Sequence, residues 1–253
     1  MLLGLILQFA RGRDNIRRER RKLSTENAIL TRLSPSDLSL LAPHLEPVRL
    51  KFRQQLETAN RRIRTVYFIE AGLASVIAVG SADRQKAEVC VVGREGMTGI
   101  AVVLGLERPA MDTFMQVEGH GQRISADVLG QALAKSRTLA STLLSYVHLF
   151  ILQAGQTALA NARGKIEQRL ARWLLMALDR LGGSDLLLTQ EFLSIMLGVR
   201  RPGVTHAINA LEARGLISSV RGRITVRDRE GLEEAASGFY GAAESELARF
   251  FGE

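Results

Sequence analysis

The sequence predicts an α+β chain: an antiparallel, jelly-roll-like β domain, then a long helix, then a small helical unit closed by a hairpin. Three observations carry this. Between residues 48 and 124, short alternating apolar and polar runs are broken by Gly, Asp, Asn or Ser, the texture of half-buried strands. From about residue 125 to Leu181 the apolar period becomes helical. Past Leu188, capping, turn and charge signals follow one another closely.

Composition bounds the partners. At 253 residues the chain has room for two modest domains, and 46% hydrophobic content excludes wholesale disorder. The formal net charge of +8 favours a polyanion, nucleic acid or anionic membrane. That charge is uneven. Residues 200–229 hold seven arginines against Glu212 and Asp228, and the chain from 230 onward is mostly acidic.

The elements are read in order as follows. Residues 1–23 form a basic extension, "MLLGLILQFARGRDNIRRERRKL", whose apolar block precedes its charges and which lacks a small-residue cleavage site. It makes a poor signal peptide and suits a basic arm or a membrane-touching helix. No run reaches the roughly 18 apolar residues of a membrane span, so no span is expected. Residues 24–136 form the β domain. It opens with two short helices over residues 24–45, the second capped by Ser34 before Pro35 and Asp37. The strand runs are "VRLKF", "TVYFIEAG", "ASVIAVG", "AEVCVVG" and "FMQVEG". Cys90, the single cysteine, sits in the fourth. It reads as a buried strand thiol, allows no internal disulfide and excludes an iron–sulfur cluster within one chain. A reducing cytoplasm fits it.

Residues 137–163 form the long helix. Ala140, Leu143, Val147, Phe150, Ala154, Thr157 and Asn161 alternate spacings of three and four, a heptad seam suited to a partner helix. Leu143, Val147, Phe150, Ala154 and Thr157 are therefore expected at a homodimer interface, with Leu144, Ile151 and Ala158 resting on the β domain. Arg163-Gly164 interrupts the helix as a hinge. Residues 164–238 form the third unit, and 239–253 a C-terminal tail.

In the third unit, Thr189 caps "QEFLSIML" and Gly198 supplies a tight turn. Pro202 suits the first turn of a second helix, which runs to Arg214 with Gly215 after it. Val204, Ile208 and Leu211 face inward; Arg201, Thr205 and His206 point outward. "LISSV", Arg221-Gly222 and "RITVRD" read as a hairpin. Together these parts make a winged helix-turn-helix. Such a motif sets the start of its second helix in a major groove, where arginine pairs with guanine. Arginine at a helix start is otherwise out of place, because that end is already electropositive. Double-stranded DNA is the partner this predicts. Arg200, Arg201, Gly203, Thr205, His206 and Asn209 are the candidate contacts on the helix, and Arg221 and Arg223 those on the wing.

This order of parts, with "EQRLARWLL" and "LTQEFLSIMLGVRRPGVTHAINALEARGLI", resembles the Crp/Fnr family of bacterial transcription regulators over about residues 25–238. The resemblance implies a homodimer on a two-fold operator, RNA polymerase as a further partner, and a cyclic-nucleotide-type sensor in the β domain. It puts Arg201 at the family's guanine-reading arginine and His206 at a second base-contacting position. Pro202 replaces the glutamate that commonly reads cytosine, so base preference there should differ. The sensor cassette matches "GREGMTGIAVVLGLERPAMDTF". Ile100 falls near the ribose-binding glutamate, and Met111-Asp112 near the Arg-Ser pair for the cyclic phosphate. Gly99, Ile100, Arg108, Met111 and Asp112 are the candidate effector residues. An apolar side chain and an acid suit neither ribose nor phosphate, so cyclic AMP is not expected as a ligand, and no cofactor or metal is expected.

The rival readings are an enzyme and a non-enzymatic adaptor or general nucleic-acid binder without an effector. His44, His120, His148 and His206 are scattered, and no HExxH, GxSxG, P-loop or CxxC motif occurs. An RNA module would show stacking aromatics, and none lies between Gly198 and Arg229.

Overall fold

The structure, a computed structural model, describes residues 25–80 and 86–252; the basic extension 1–23 lies outside them. Helix α1 (Ala28–Arg32) starts at Asn27, which is wholly buried. Its Nδ2 donates to the carbonyls of Ile69 (2.7 Å) and Gly96 (2.8 Å), pinning the chain to the sheet. Helix α2 (Pro35–Leu41) begins as the sequence predicts, with the Asp37 N–H donating to Ser34 Oγ at 3.1 Å.

Five antiparallel strands follow: β1 (Glu46–Leu50), β2 (Gln55–Glu57), β3 (Thr65–Val79), β4 (Lys86–Val92) and β5 (Asp112–Ser125). Their order is β1-β5-β3-β4, with β2 also on β5. "TVYFIEAG" and "ASVIAVG" are one strand, not two. Gly72 bends it at φ 93°, where a side chain would meet the Val117 carbonyl at 2.7 Å. The pairing register with β5 shifts around that bend. A glycine that reads as a terminator is here a bulge within a continuing strand.

A short helix α3 (Ile100–Val103) lies between β4 and β5, and α4 (Ala126–Lys135) leads into the long α5 (Arg137–Arg163). Buried Asp37 ties α2 to the start of α5: its carboxylate accepts from Ser136 (2.5 Å) and Thr138 (2.8 Å). The Ser136 bond, with help from Thr138 and Ser34 and against burial, holds this carboxyl below its usual range.

The long helix lies on the sheet by the face expected at the dimer seam. Leu143, Val147 and Phe150 are buried within the chain, Ala154 packs on the cluster around Cys90 and Met115, and Thr157 faces the junction near Arg169 and Trp173. Gln153 fixes the register: its side-chain amide accepts from Val91 N–H (2.8 Å) and donates to Val91 O (3.2 Å), mimicking an added strand on β4. The expected seam is therefore corrected. The exposed stripe is Leu144, Ile151 and Ala158, the set expected on the β domain, with Leu144 47% and Ile151 62% exposed. Periodicity reveals two apolar stripes one residue apart. The richer one meets the largest apolar surface within reach, the chain's own sheet. Two apolar faces also make α5 long and apolar enough, by length and composition, to cross a membrane. No such segment was expected from the sequence.

Helix α6 (Ile166–Leu181) opens the third unit. It is followed by β6 (Asp185–Leu187), α7 (Gln190–Leu197), α8 (Arg201–Ala213), the hairpin β7 (Ile217–Val220) and β8 (Arg223–Val226), and α9 (Arg229–Ala235). The tail contains α10 (Ala242–Phe251), which packs back along α5. There Arg32 of α1 lies 4.7 Å above the Phe250 ring.

Candidate nucleic-acid interface and ligand cavity

The two helices of the motif are set by local chemistry. Thr189 Oγ1 accepts from Phe192 N–H at 3.3 Å, starting α7, and Gly198 ends it in the left-handed region at φ 59°. Arg200 is the extended residue before α8, and Pro202 lies in its first turn. Val204, Ala207, Ile208 and Leu211 are buried, and α8 packs chiefly on α6 and α7. Arg201, Thr205, His206 and Asn209 share the opposite, exposed face. Gly203 does not belong to that face. A Cβ there would come within 3.3 Å of Ile166 Cδ1, so its missing side chain lets the first turn of α8 lie on α6.

The cations of this surface differ in their engagement. Arg200, Arg201 and Arg221 are exposed and have no carboxylate partner among the described residues. Arg221 and Gly222 form the hairpin tip, at φ 47° and 78°, the two left-handed positions of a type I′ turn. Arg223 is tied to Asp185 of β6 at 2.8 Å, and Thr225 Oγ1 donates to the same carboxylate at 2.7 Å. The Thr225 bond, then Arg223, holds the Asp185 carboxyl below its usual range. The pair is exposed and screened by solvent, so a phosphate can compete for Arg223. Arg229 is held by Asp179, Glu233 and Tyr240. The arginines without a carboxylate partner thus include those at the start of α8 and at the wing tip, with Arg214 and Arg227 also exposed and unpaired with a carboxylate among the described residues.

A second feature lies in the β domain. A cavity of about 200 Å³ opens between the sheet, α3 and α5, walled by Val76, Val92, Met97, Ile100, Met111 and Phe150, with Arg108 also lining it. Gly99 does not itself line it, though its neighbours Thr98 and Ile100 do; at φ 83° a side chain on Gly99 would strike Val66 at 2.5 Å. The Gly99 N–H donates to Glu57 Oε1 at 3.0 Å, and Thr113 Oγ1 donates to Glu57 Oε2 at 2.8 Å. Burial pushes the Glu57 carboxyl up, opposed by those two bonds. Ile100, Arg108 and Met111 do meet at one place. Asp112 does not line it: its Oδ1 caps the 58–60 turn by accepting from Ala59 N–H at 2.9 Å. Glu57 and Phe150 complete the cavity, and sequence reading missed both there. Nothing local marks "QLE" as a site, and Phe150 carries the signal of a helix seam.

The third unit is docked on the sheet. Leu73 of β3 and Val91 of β4 belong to the same apolar cluster as Trp173, Leu193 and Val204. Trp173 Nε1 donates to Glu88 of β4, and Arg180 pairs with buried Glu95 at 2.7 Å. Phe52 meets Phe192 edge-on at 5.6 Å between centroids. Cys90 is buried, as expected, and burial raises its thiol well above the usual range, so it is no ready nucleophile. Among the described residues, no group of three His, Cys, Asp or Glu side chains could hold a metal.

Comparison with known proteins bears on the fold and on the helix-turn-helix. Residues 168–235 match the Crp-like helix-turn-helix domain. The fold is shared with a Crp/Fnr family protein of Eubacterium rectale (TM-score 0.67, 15% identity, 83% of this chain and 98% of that one). FixK2 of Bradyrhizobium japonicum is similar at TM-score 0.64 and 16% identity, over 76% of this chain and 96% of its own. A CRP family transcriptional regulator of Thermus thermophilus is similar at TM-score 0.63 and 17% identity, over 76% of this chain and 97% of its own. Comparison with curated proteins gives no match.

Proposed function

We propose that this chain, whose residues 168–235 match the Crp-like helix-turn-helix domain and whose fold is shared with Crp/Fnr family proteins, is a sequence-specific, non-enzymatic DNA-binding regulator of transcription. The observation that carries this is the exposed face of α8, where Arg201, Thr205, His206 and Asn209 lie together beside the unpaired Arg200. A helix start offers backbone N–H groups to a phosphate, and the arginine fork reads guanine in the major groove. The wing tip at Arg221 adds a sequence-independent phosphate contact.

The acting species in this reading is a homodimer on a two-fold site, joined along the exposed Leu144–Ile151–Ala158 stripe of α5. It works in the cytoplasm with RNA polymerase as a further partner. The β domain is its sensor. Phe150 lines the cavity while its neighbour Ile151 stands on the outer face of the same helix, so a ligand in the cavity and a second subunit would press on opposite sides of α5.

Selection of bound sequences from a random double-stranded DNA pool tests this. The expected result is an enriched inverted repeat with half-sites about one helical turn apart, roughly 34 Å. Uniform retention of all sequences would replace this reading with a general nucleic-acid binder, and no retention would replace it with an adaptor.

A further inference from the structure

We infer that the β-domain cavity binds a small, uncharged, largely apolar molecule that presents one hydrogen-bond donor to Glu57. This deepens the sensor reading above and rests on it. The size comes first. An apolar cavity of about 150 Å³ takes benzene, so about 200 Å³ here suits a single ring or a compact branched chain with one polar substituent.

The walls come next. Val76, Val92, Met97 and Phe150 are buried apolar groups. Leu104 and Leu106, 51% and 58% exposed, also line the cavity and give it an apolar rim that a ligand would cover.

The polar groups select against an anion. Of the two threonines lining the cavity, Thr113 donates to Glu57, and Thr98 Oγ1 accepts from Tyr67 N–H at 3.1 Å and keeps a single hydroxyl proton to give. The Gly99 N–H, which the family resemblance assigns to a nucleotide cassette, is already taken by Glu57. A carboxyl group therefore stands where a phosphate would need donors. Each Glu57 oxygen accepts one bond from the protein, and a carboxylate oxygen can accept a second. The Glu57 oxygens thus remain open as acceptors, and they call for a hydroxyl or a neutral amine, whose own oxygen or nitrogen can take the Thr98 proton. Arg108 also lines the cavity, but its side chain is exposed, and a solvated guanidinium holds an anion weakly.

The test uses the full chain and four probes: phenol (a ring with a donor), benzene (a ring alone), benzoate (a ring with an anion) and cyclic AMP. Binding is read by saturation-transfer NMR and by the shift in Tm. Phenol should bind with Kd of about 1 mM or tighter, and benzene about tenfold more weakly, the worth of one hydrogen bond. Benzoate and cyclic AMP should not compete with phenol. Ala101→Trp and Met111→Trp, which fill the cavity, should each abolish phenol binding, with circular dichroism confirming the fold. Glu57→Gln should reduce the preference for phenol over benzene. No phenol binding by the wild type, phenol binding unchanged in both filled variants, or benzoate binding more tightly than phenol would each overturn the inference. DNA binding is measured on the same samples. Loss of the inference with DNA binding intact leaves the regulator standing, whereas absence of DNA binding defeats the regulator reading separately.

Discussion

Glu88 of β4 accepts the indole N–H of Trp173, on α6, at 2.5 Å, joining the sheet to the first helix of the DNA-binding unit. Both side chains are buried. The second carboxylate oxygen meets Ser75 Oγ, and Ser75 Oγ also lies 2.9 Å from Gln116 Oε1. A hydroxyl donates only one bond. If Glu88 is ionised, Ser75 cannot serve both acceptors. If Glu88 is protonated, it donates to Ser75 and the serine proton serves Gln116. Burial pushes the Glu88 carboxyl up to about 7, against the bonds from Ser75 and Trp173 and the charges of Arg172 and Arg180.

The pH dependence follows from that proton. The folded chain holds it more tightly than an unfolded carboxyl with its ordinary value of 4.5. Its contribution to stability is therefore full below that value and is lost as pH rises through about 7. Glu88→Gln keeps an acceptor for Trp173 and a permanent donor for Ser75. Calorimetric Tm values should match the wild type near pH 4, below the ordinary carboxyl value, and exceed it near pH 8. A difference between the two proteins that does not change with pH would refute this role.

The two faces of α5 should fail differently. Ile151→Asp places a charge on the exposed stripe and should give a folded monomer with weakened DNA binding. Phe150→Ala opens space inside the chain and should lower stability by about 3–5 kcal/mol. Sedimentation and urea midpoints separate the two. An Ile151→Asp protein that remains dimeric would move the interface off this stripe.

The Arg180–Glu95 pair is a buried ionic tie between the two units. Its side chains are 5% and 11% exposed, and Glu95 Oε2 has no partner. Removing one member of a buried pair strands the other charge at a cost of about 3–5 kcal/mol. Glu95→Ala should show that loss in urea unfolding. Glu95→Gln, which keeps an acceptor for the Arg180 Nε–H, should lose less. Equal losses would mean the carboxylate charge contributes nothing to the docking.

What was legible in the sequence was what neighbouring residues decide. Ser34, Thr189, Gly198, Pro202 and Gly215 each act within a few positions of themselves, and the helix boundaries they imply are present. The hairpin at Arg221-Gly222 is of the same kind. Tertiary choices were not legible. Nothing local tells Phe150 from Ile151 as the inward residue. β6 is three residues long, too short for alternation to show, and so the engagement of Arg223 by Asp185 was hidden. Glu57 gains its meaning only when β2 comes to lie beside Gly99 and Thr113.

The arginines of α8 and the wing can be told apart on DNA. Arg201 sits on the exposed face of α8, while Arg221 stands at the hairpin tip. Loss of a bidentate guanine contact costs about 1–3 kcal/mol on the specific site and relaxes preference at one base pair. Loss of a phosphate contact weakens every sequence alike and lowers the salt slope by about one unit. Arg201→Ala should therefore compress the ratio of specific to bulk-DNA affinity, with each effect doubled on a two-fold site. Arg221→Ala should leave that ratio nearly intact and flatten the salt dependence. Arg223→Ala should change the slope less than Arg221→Ala, because Asp185 already competes for that guanidinium. Titrations across a salt series decide the matter. If Arg201→Ala lowers both affinities equally, Arg201 only clamps phosphate, and the groove-facing side of α8 lies elsewhere.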